Sequence, residues 1–346
     1  MRHVPIKPIA VVALLALAAH RGIATAAPLQ NALAPAGPQA ALIHDLWNLT
    51  LAICTLVFAA VLAALIVALW RRPRADAATP ADVGAPQRPE RGARRSVGAA
   101  VAASVLLLVF LIVASVLTDR ALAQLSLKDA VRIELTSNQW WWEARYDDSE
   151  PARVFTTANE LHIPVGRPVL VTLKSNDVIH SLWVPNLAGK KDLIPGRTAT
   201  LQLQADRAGT YRGQCAEFCG FQHAFMALDV VARPNAEYEA WAEAQRASAP
   251  APADPQAQRG RAVFLSTSCV MCHSIQGTSA NAHRAPDLTH VGSRSRLAAG
   301  TLPNTPEAMH QWIRNPQRFK PGSNMPATTL PDEDVQAIVS YLRGLQ

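Results

Sequence analysis

No run of Lys and Arg long enough to act as a nucleic-acid arm occurs in this 346-residue chain, although its formal net charge is +7. Counted by region, the excess disperses. Residues 71–96 hold seven Arg against three acids, residues 130–235 balance at eleven of each sign, and residues 255–346 hold nine basic against five acidic groups. That distribution excludes nucleic acid as a partner. Cysteine is scarce as well: five residues, namely Cys54 in an apolar run and the pairs Cys215/Cys219 and Cys269/Cys272. Two close pairs do not make the framework of a disulfide-stapled small domain. Cys54 reads as a small hydrophobe filling space between helices.

What is abundant is apolar sequence in two windows. Leu46 to Leu69 and Val97 to Leu117 are nearly uninterrupted runs of 24 and 21 residues, enough at about 1.5 Å per residue to cross a hydrocarbon core of about 30 Å. Seven arginines (Arg71, Arg72, Arg74, Arg88, Arg91, Arg94 and Arg95) gather between them, so the 71–96 loop is expected on the cytoplasmic side, and everything after Leu117 outside it. Residues 1–26 read as a secretory signal: Arg2 and Lys7, an apolar centre from Ile9 to Ala19, and Ala24-Thr25-Ala26 as a cleavage site. An uncleaved third membrane helix is the alternative. The expected hairpin covers residues 42–120.

Residues 130–233 change character. VRIEL, ELHIPVGRPVLVTL, HSLWVP, TATLQLQ, GTYRGQ and ALDVVA are short β-rich segments punctuated by Pro164, Gly166, Pro185, Gly196 and Gly209. About a hundred residues with that rhythm predict an all-β Greek-key sandwich or barrel. Residues 234–255 follow as a short helix, NAEYEAWAEAQ, and an Ala/Pro spacer. Residues 256–346 form a separate all-α domain that closes with the helix PDEDVQAIVSYLRGL, its acidic start suited to the helix dipole.

Three stretches carry chemistry. In CAEFCGFQHAFM, Cys215, Cys219, His223 and Met226 offer two thiolates, an imidazole and a thioether, a soft set that favours copper; a disulfide is the alternative. In CVMCH, Cys269, Cys272 and His273 form the C-x-x-C-H signature of covalent haem c, with a redox or zinc pair as the alternative. Met325 in GSNMPA is the expected sixth iron ligand, preferred over Met271 and Met309. QWWWEARY places Trp140, Trp141, Trp142 and Tyr146 on a strand, where alternate residues face opposite sides.

With His180 in HSLWVP, the loop Cys215, Glu217, Cys219, Gly220, His223, Met226 closely resembles subunit II of the haem-copper cytochrome oxidases over residues 42–232. The resemblance implies a cupredoxin fold holding a dinuclear CuA centre: Cys215 and Cys219 bridging two coppers, His180 and His223 capping one each, Met226 and the Glu217 carbonyl as weak outer ligands. It also implies that the Glu217 carboxylate faces a magnesium ion at the junction with subunit I. Trp140 would be the exposed residue through which electrons enter CuA, with Trp142 on the same face and Asp147, Asp148 and Glu150 attracting the haem domain or an external cytochrome. The segment 256–346 resembles class I cytochrome c, which implies that Gly260 and Phe264 cross the last helix near Tyr341 and that Pro286 O holds His273. Many members of the oxidase family open the second span with a glutamate-bearing segment, whereas RRSVGAAVAASV has no carboxylate.

The expected whole is a multidomain membrane protein: a two-helix transmembrane hairpin, an all-β cupredoxin domain and a class I cytochrome c domain fused as in the caa3-type oxidases. Neither span carries the histidines that would hold haem and copper at membrane depth, so the oxygen-reducing site belongs to subunit I. Subunit III, membrane lipid, and an external cytochrome or quinol-cytochrome c reductase as donor complete the expected partners. The electron-transfer subunit of a nitric oxide reductase is the alternative reading.

Overall fold

A computed structural model describes residues 30–71 and 91–346. The expected signal segment and most of the Arg-rich loop fall outside the described residues. Helices α1 (Pro38–Arg71) and α2 (Arg91–Ala123) contain the two apolar windows. Both are long and apolar enough to cross a membrane, and none of the described residues covers their most apolar stretches. Large side chains such as Leu56, Phe58 and Leu106 stand bare along them, a surface that water does not support and lipid does.

The β domain is a sandwich of two five-stranded sheets. One has the order β3-β2-β1-β5-β8, built from β1 (Val131–Asn138), β2 (Trp141–Asp147), β3 (Phe155–Ala158), β5 (Val169–Ser175) and β8 (Ala199–Leu203). The other runs β4-β10-β9-β6-β7, from β4 (Glu160–Pro164), β6 (His180–Trp183), β7 (Lys191–Leu193), β9 (Gly209–Cys215) and β10 (Ala227–Arg233). The pairs β1/β5 and β4/β10 are parallel and the rest antiparallel, the mixed topology of a cupredoxin-type Greek key. Alternation sets the core: Ile133 and Leu135, Trp142 and Ala144, and Val169, Val171 and Leu173 point inward, as period-two strands require.

Strand β4 breaks the alternation by being buried along its whole length. Its outer face is covered by α3 (Asn235–Arg246), where Trp241 stacks on His162 at a ring separation of 4.0 Å. Tyr146 completes that cluster; its hydroxyl donates to His162 O (2.9 Å) and accepts from His162 N–H (2.7 Å).

The helical domain comprises α4 (Pro255–Ser266), α5 (Pro306–Arg314) and α6 (Asp332–Arg343). Asp254 caps α4 by accepting from Ala257 N–H (2.8 Å), the usual N-terminal stop signal. Gly260 is required where α4 crosses α6, because a Cβ there would lie 1.9 Å from Ala337 O. Phe264 and Tyr341 meet at the same crossing, 6.2 Å between ring centroids.

Candidate metal centres

The end of β9 delivers Cys215, the start of β6 delivers His180, and the loop between β9 and β10 delivers Cys219, His223 and Met226. The two sulfurs lie 3.7 Å apart, far beyond the bond of about 2.05 Å that a disulfide needs. Each cysteine has its own histidine: Cys215 Sγ is 3.7 Å from His180 Nδ1, and Cys219 Sγ is 3.7 Å from His223 Nδ1. Two donors sharing one tetrahedral metal at bond lengths near 2.3 and 2.0 Å stand about 3.5 Å apart, so a metal fits between each pair. Met226 Sδ is 3.9 Å from Cys219 Sγ, and Glu217 O is 3.2 Å from Cys215 Sγ on the other side. The donor set fits copper: two thiols, two imidazoles, one thioether and one carbonyl, of which the side chains of His180, Cys215, Cys219 and Met226 are buried.

The protein has fixed these ligands in advance. His180 is fully buried and donates from Nε2 to Asp177 Oδ1 (2.8 Å), which turns Nδ1 toward the sulfur. Burial opposes the charged form of His180, yet the hydrogen bonds with Asp177 and Cys215 outweigh it and raise the pKa. The Cys215 thiol is held well below the usual thiol range, first by sharing a hydrogen bond with Cys219 and, against burial, by His180 and backbone groups; the same sharing pushes Cys219 up. The pair releases one proton readily and keeps the other until a cation replaces it.

In the helical domain His273 Nδ1 donates to Pro286 O (2.7 Å), leaving Nε2 for an axial bond. Burial lowers the His273 pKa, so the imidazole is neutral as a ligand must be. Cys269 and Cys272 are free and half-buried in the turn before it, and Cys269, Val270, Leu288, Met325 and Leu330 pack at the edge of the domain core, an apolar rim suited to a haem. Met309 is sealed inside that core and Met271 is 69% exposed, which leaves Met325 as the methionine on the rim. Gln317 Nε2 steadies its loop by donating to Met325 O and Ser323 O (both 2.8 Å).

Trp140 departs from expectation. It is only 8% exposed: Nε1 donates to Cys219 O (2.8 Å), Gly220 packs beneath the ring, and Gly322 of the helical domain packs near it. The expected open surface is covered because the helical domain sits on it. Trp142 is fully enclosed, edge-on to His180. Asp147 and Asp148 are also occupied otherwise, pairing with Arg145 (2.7 Å) and Arg153 (3.2 Å). Among the described residues, the cupredoxin-domain acids that hydrogen-bond or ion-pair with the helical domain are Glu160 and Asp229, neighbours in the parallel β4/β10 register. Asp229 accepts from Ser295 Oγ (3.1 Å) and pairs with Arg296 (3.4 Å). Sequence reasoning missed them; the one available signal was a charged residue at each position within otherwise apolar strands. The Glu217 carboxylate faces outward, with Lys190 Nζ 3.5 Å away.

Fold and site together define a protein with two membrane-length helices in which a cupredoxin-type domain carrying a donor set that fits copper and a helical domain carrying a C-x-x-C-H haem-attachment motif are joined on one chain. The family model described as cytochrome C oxidase subunit II, periplasmic domain, matches residues 147–233, and the one described as cytochrome c matches residues 257–346. Cytochrome c oxidase subunit 2 of Alkalihalophilus pseudofirmus is 35% identical over 327 residues, 91% of either chain. The corresponding subunit of Bacillus sp. PS3 is 33% identical over 261 residues, 70% of this chain and 72% of its own. Among solved structures, the periplasmic domain of subunit II of cytochrome oxidase of Bradyrhizobium japonicum is 30% identical, covering 34% of this chain and 93% of that one at a TM-score of 0.32. The chain belongs to the cytochrome c oxidase subunit 2 family, and is thereby a component of a haem-copper oxidase, with a cytochrome c domain at its C-terminal end.

Proposed function

We propose that the chain is the subunit through which electrons enter a caa3-type terminal oxidase of a bacterial inner membrane, with both soluble domains on the periplasmic side. When bound, a covalent haem c and a dinuclear CuA centre supply one-electron carriers that pass electrons toward subunit I, where oxygen is reduced to water with proton pumping. Cys269 and Cys272 would attach the haem and His273 and Met325 ligate its iron; His180, Cys215, Cys219, His223, Met226 and the Glu217 carbonyl would hold the coppers.

The residues of the chain do the positioning. Asp177 orients the His180 imidazole and Pro286 that of His273, the sandwich holds the copper loop between β9 and β10, and Trp140 lies between that loop and the haem domain. A rigid cage whose donors stand ready before metal arrives changes little with charge state, which suits rapid electron exchange. The outward Glu217 carboxylate is a fitting oxygen ligand for magnesium shared with subunit I. Subunit III, surrounding lipid, and an external cytochrome or quinol-cytochrome c reductase as donor complete the assembly.

The observation that carries this reading is the pairing of each cysteine with its own histidine at 3.7 Å around one sulfur pair. Copper analysis and electron paramagnetic resonance of the purified complex test it. A dinuclear, mixed-valence signal beside a six-coordinate haem c spectrum is expected; one copper per chain without that signal would overturn it. Turnover with oxygen rather than nitric oxide separates the oxidase from a nitric oxide reductase.

A further inference from the structure

Lys320 is a lysine that the copper and haem chemistry does not use, and it is buried to 3% exposure. Long cationic side chains are rarely hidden so completely without a partner carboxylate. Among the described residues no carboxylate forms an ion pair with it. Instead the ammonium faces three carbonyls: Trp140 O at 2.8 Å, Phe225 O at 3.0 Å and Ala298 O at 3.3 Å. An ammonium has three donors, so each is matched. Two of the acceptors belong to the cupredoxin domain and one to the cytochrome domain.

The arrangement has meaning only when the two domains are together. With the cytochrome domain lifted away, Lys320 would keep Ala298 O and lose the other two acceptors to solvent. The acceptors are also well chosen in place. Trp140 is the residue whose indole bonds the copper loop at Cys219 O, and Phe225 is the neighbour of Met226. On the other side, Lys320 lies on the loop that leads to Met325. Around it run further bonds across the same seam: Gln222 Nε2 to Pro321 O (2.7 Å), Ala227 N–H to Ala299 O (3.0 Å) and Thr301 Oγ1 to Phe225 O (3.3 Å). Of the groups at the centre of the seam, Lys320 is the one that brings a charge against main-chain carbonyls of both domains. The Ser295 and Arg296 contacts with Asp229 form the outer edge of the seam.

We propose that Lys320 is a positioning residue that locks the cytochrome c domain onto the cupredoxin domain, holding the Met325 loop over Trp140 and closing that tryptophan to outside cytochromes. The lock rests on the reading of the two sites as haem c and CuA. It acts through the main chain at Trp140 and Phe225 rather than by touching either metal site.

The test uses the purified oxidase complex with copper and haem in place, at about pH 6, because burial holds the Lys320 pKa down to about 7. Lys320→Met and Lys320→Gln are compared with the parent and with Lys320→Arg. Hydroxyl-radical footprinting reads the exposure of Trp140, and limited proteolysis reads the spacer 247–254. Truncating one member of a buried, hydrogen-bonded charge contact favours separation strongly, so Trp140 oxidation is expected to rise about tenfold or more in the Met variant. Gln should give a smaller rise, Arg should restore part of the protection, and a reduced soluble c-type cytochrome should gain a direct route to the copper centre. The copper resonance and haem absorption should stay as in the parent. Unchanged Trp140 protection in the Met variant would overturn the lock. So would loss of haem attachment in both the Met and Gln variants, which would make Lys320 a folding residue. If the parent itself lacked the copper or haem signal, the functional reading would fall, while the footprint would still decide whether Lys320 holds the domains together.

Discussion

The indole N–H of Trp140 donates to Cys219 O across 2.8 Å, tying a residue beneath the cytochrome domain to the backbone of the copper loop. Trp140→Phe removes the donor and keeps most of the packing. Cys219 O retains the Gln139 side-chain amide at 2.8 Å, so the stability loss should be about 1 kcal/mol, the net worth of one hydrogen bond. Copper content should be unchanged, while flash-initiated electron exchange between the haem and copper centres slows. An unaltered rate would remove Trp140 from the route.

Asp177 should matter more for copper than its position outside the ligand set suggests. It fixes His180 through Nε2 and accepts from Gln139 N–H (2.6 Å) and Val178 N–H (2.7 Å). Asp177→Ala frees the imidazole to rotate, and losing such an outer partner typically weakens a metal site about 10–100-fold. Competition against a chelator of known affinity measures the change; a shift smaller than threefold would show that burial alone orients the ring.

Met325→Leu isolates the axial ligand. Removing the thioether should lower the haem potential and abolish the weak absorption band of methionine-ligated ferric haem, because His/Met ligation is what raises the potential of cytochromes c. A normal spectrum and potential in the Leu variant would assign the sixth position to another residue.

Much of this was readable in the chain because local chemistry announces itself. The apolar windows, the β rhythm from Val131 to Arg233 and the C-x-x-C-H turn each follow from short-range pattern, and the four-residue spacing of Cys215, Cys219 and His223 keeps three donors on one loop. His180 was reachable only by resemblance, since a lone histidine at the start of β6 carries no spacing signal. Asp177 acts three residues before it and was not seen as its partner. The placement of the cytochrome domain was out of reach. It depends on Lys320, Ser295 and Arg296 meeting Trp140 and Asp229 from positions 66 to 180 residues away, and nothing in either segment encodes its partner. Hence Trp140 read as exposed, and the acids at Asp147 and Asp148 drew attention that belongs to Glu160 and Asp229.

The crossing of α4 and α6 gives a prediction confined to one domain. A side chain at Gly260 would collide with the Ala337 carbonyl, which is main chain and cannot swing aside. Gly260→Val should therefore cost at least the roughly 1–3 kcal/mol of an overpacked core, with a reduced ratio of haem to copper in the purified complex. The sandwich has its own core, so the copper resonance per chain should persist. Equal loss of both centres would show that the two domains fold as one unit.

Glu160 makes the seam between the domains sensitive to acid. Burial works to raise its pKa, but the hydrogen bond from His162, the charges of His162 and Arg294, and the Ser295 N–H together bring it below the ordinary value near 4.5. A carboxylate with a depressed folded-state pKa binds fewer protons folded than unfolded at pH values between the two. Its stabilising contribution is complete above the ordinary value and is lost as the pH falls through the folded one. Acid should loosen the seam only below about pH 4.5, once Glu160 begins to take up a proton. Glu160→Gln, a neutral side chain of the same shape, should be less stable than the parent at neutral pH and should show a flatter decline below about pH 5, the difference between the two closing as Glu160 protonates. Denaturant midpoints measured along the pH series for both proteins decide it. Parallel curves would mean that Glu160 contributes nothing through its charge, and that Asp229 with Arg296 carries the acid-side contact alone.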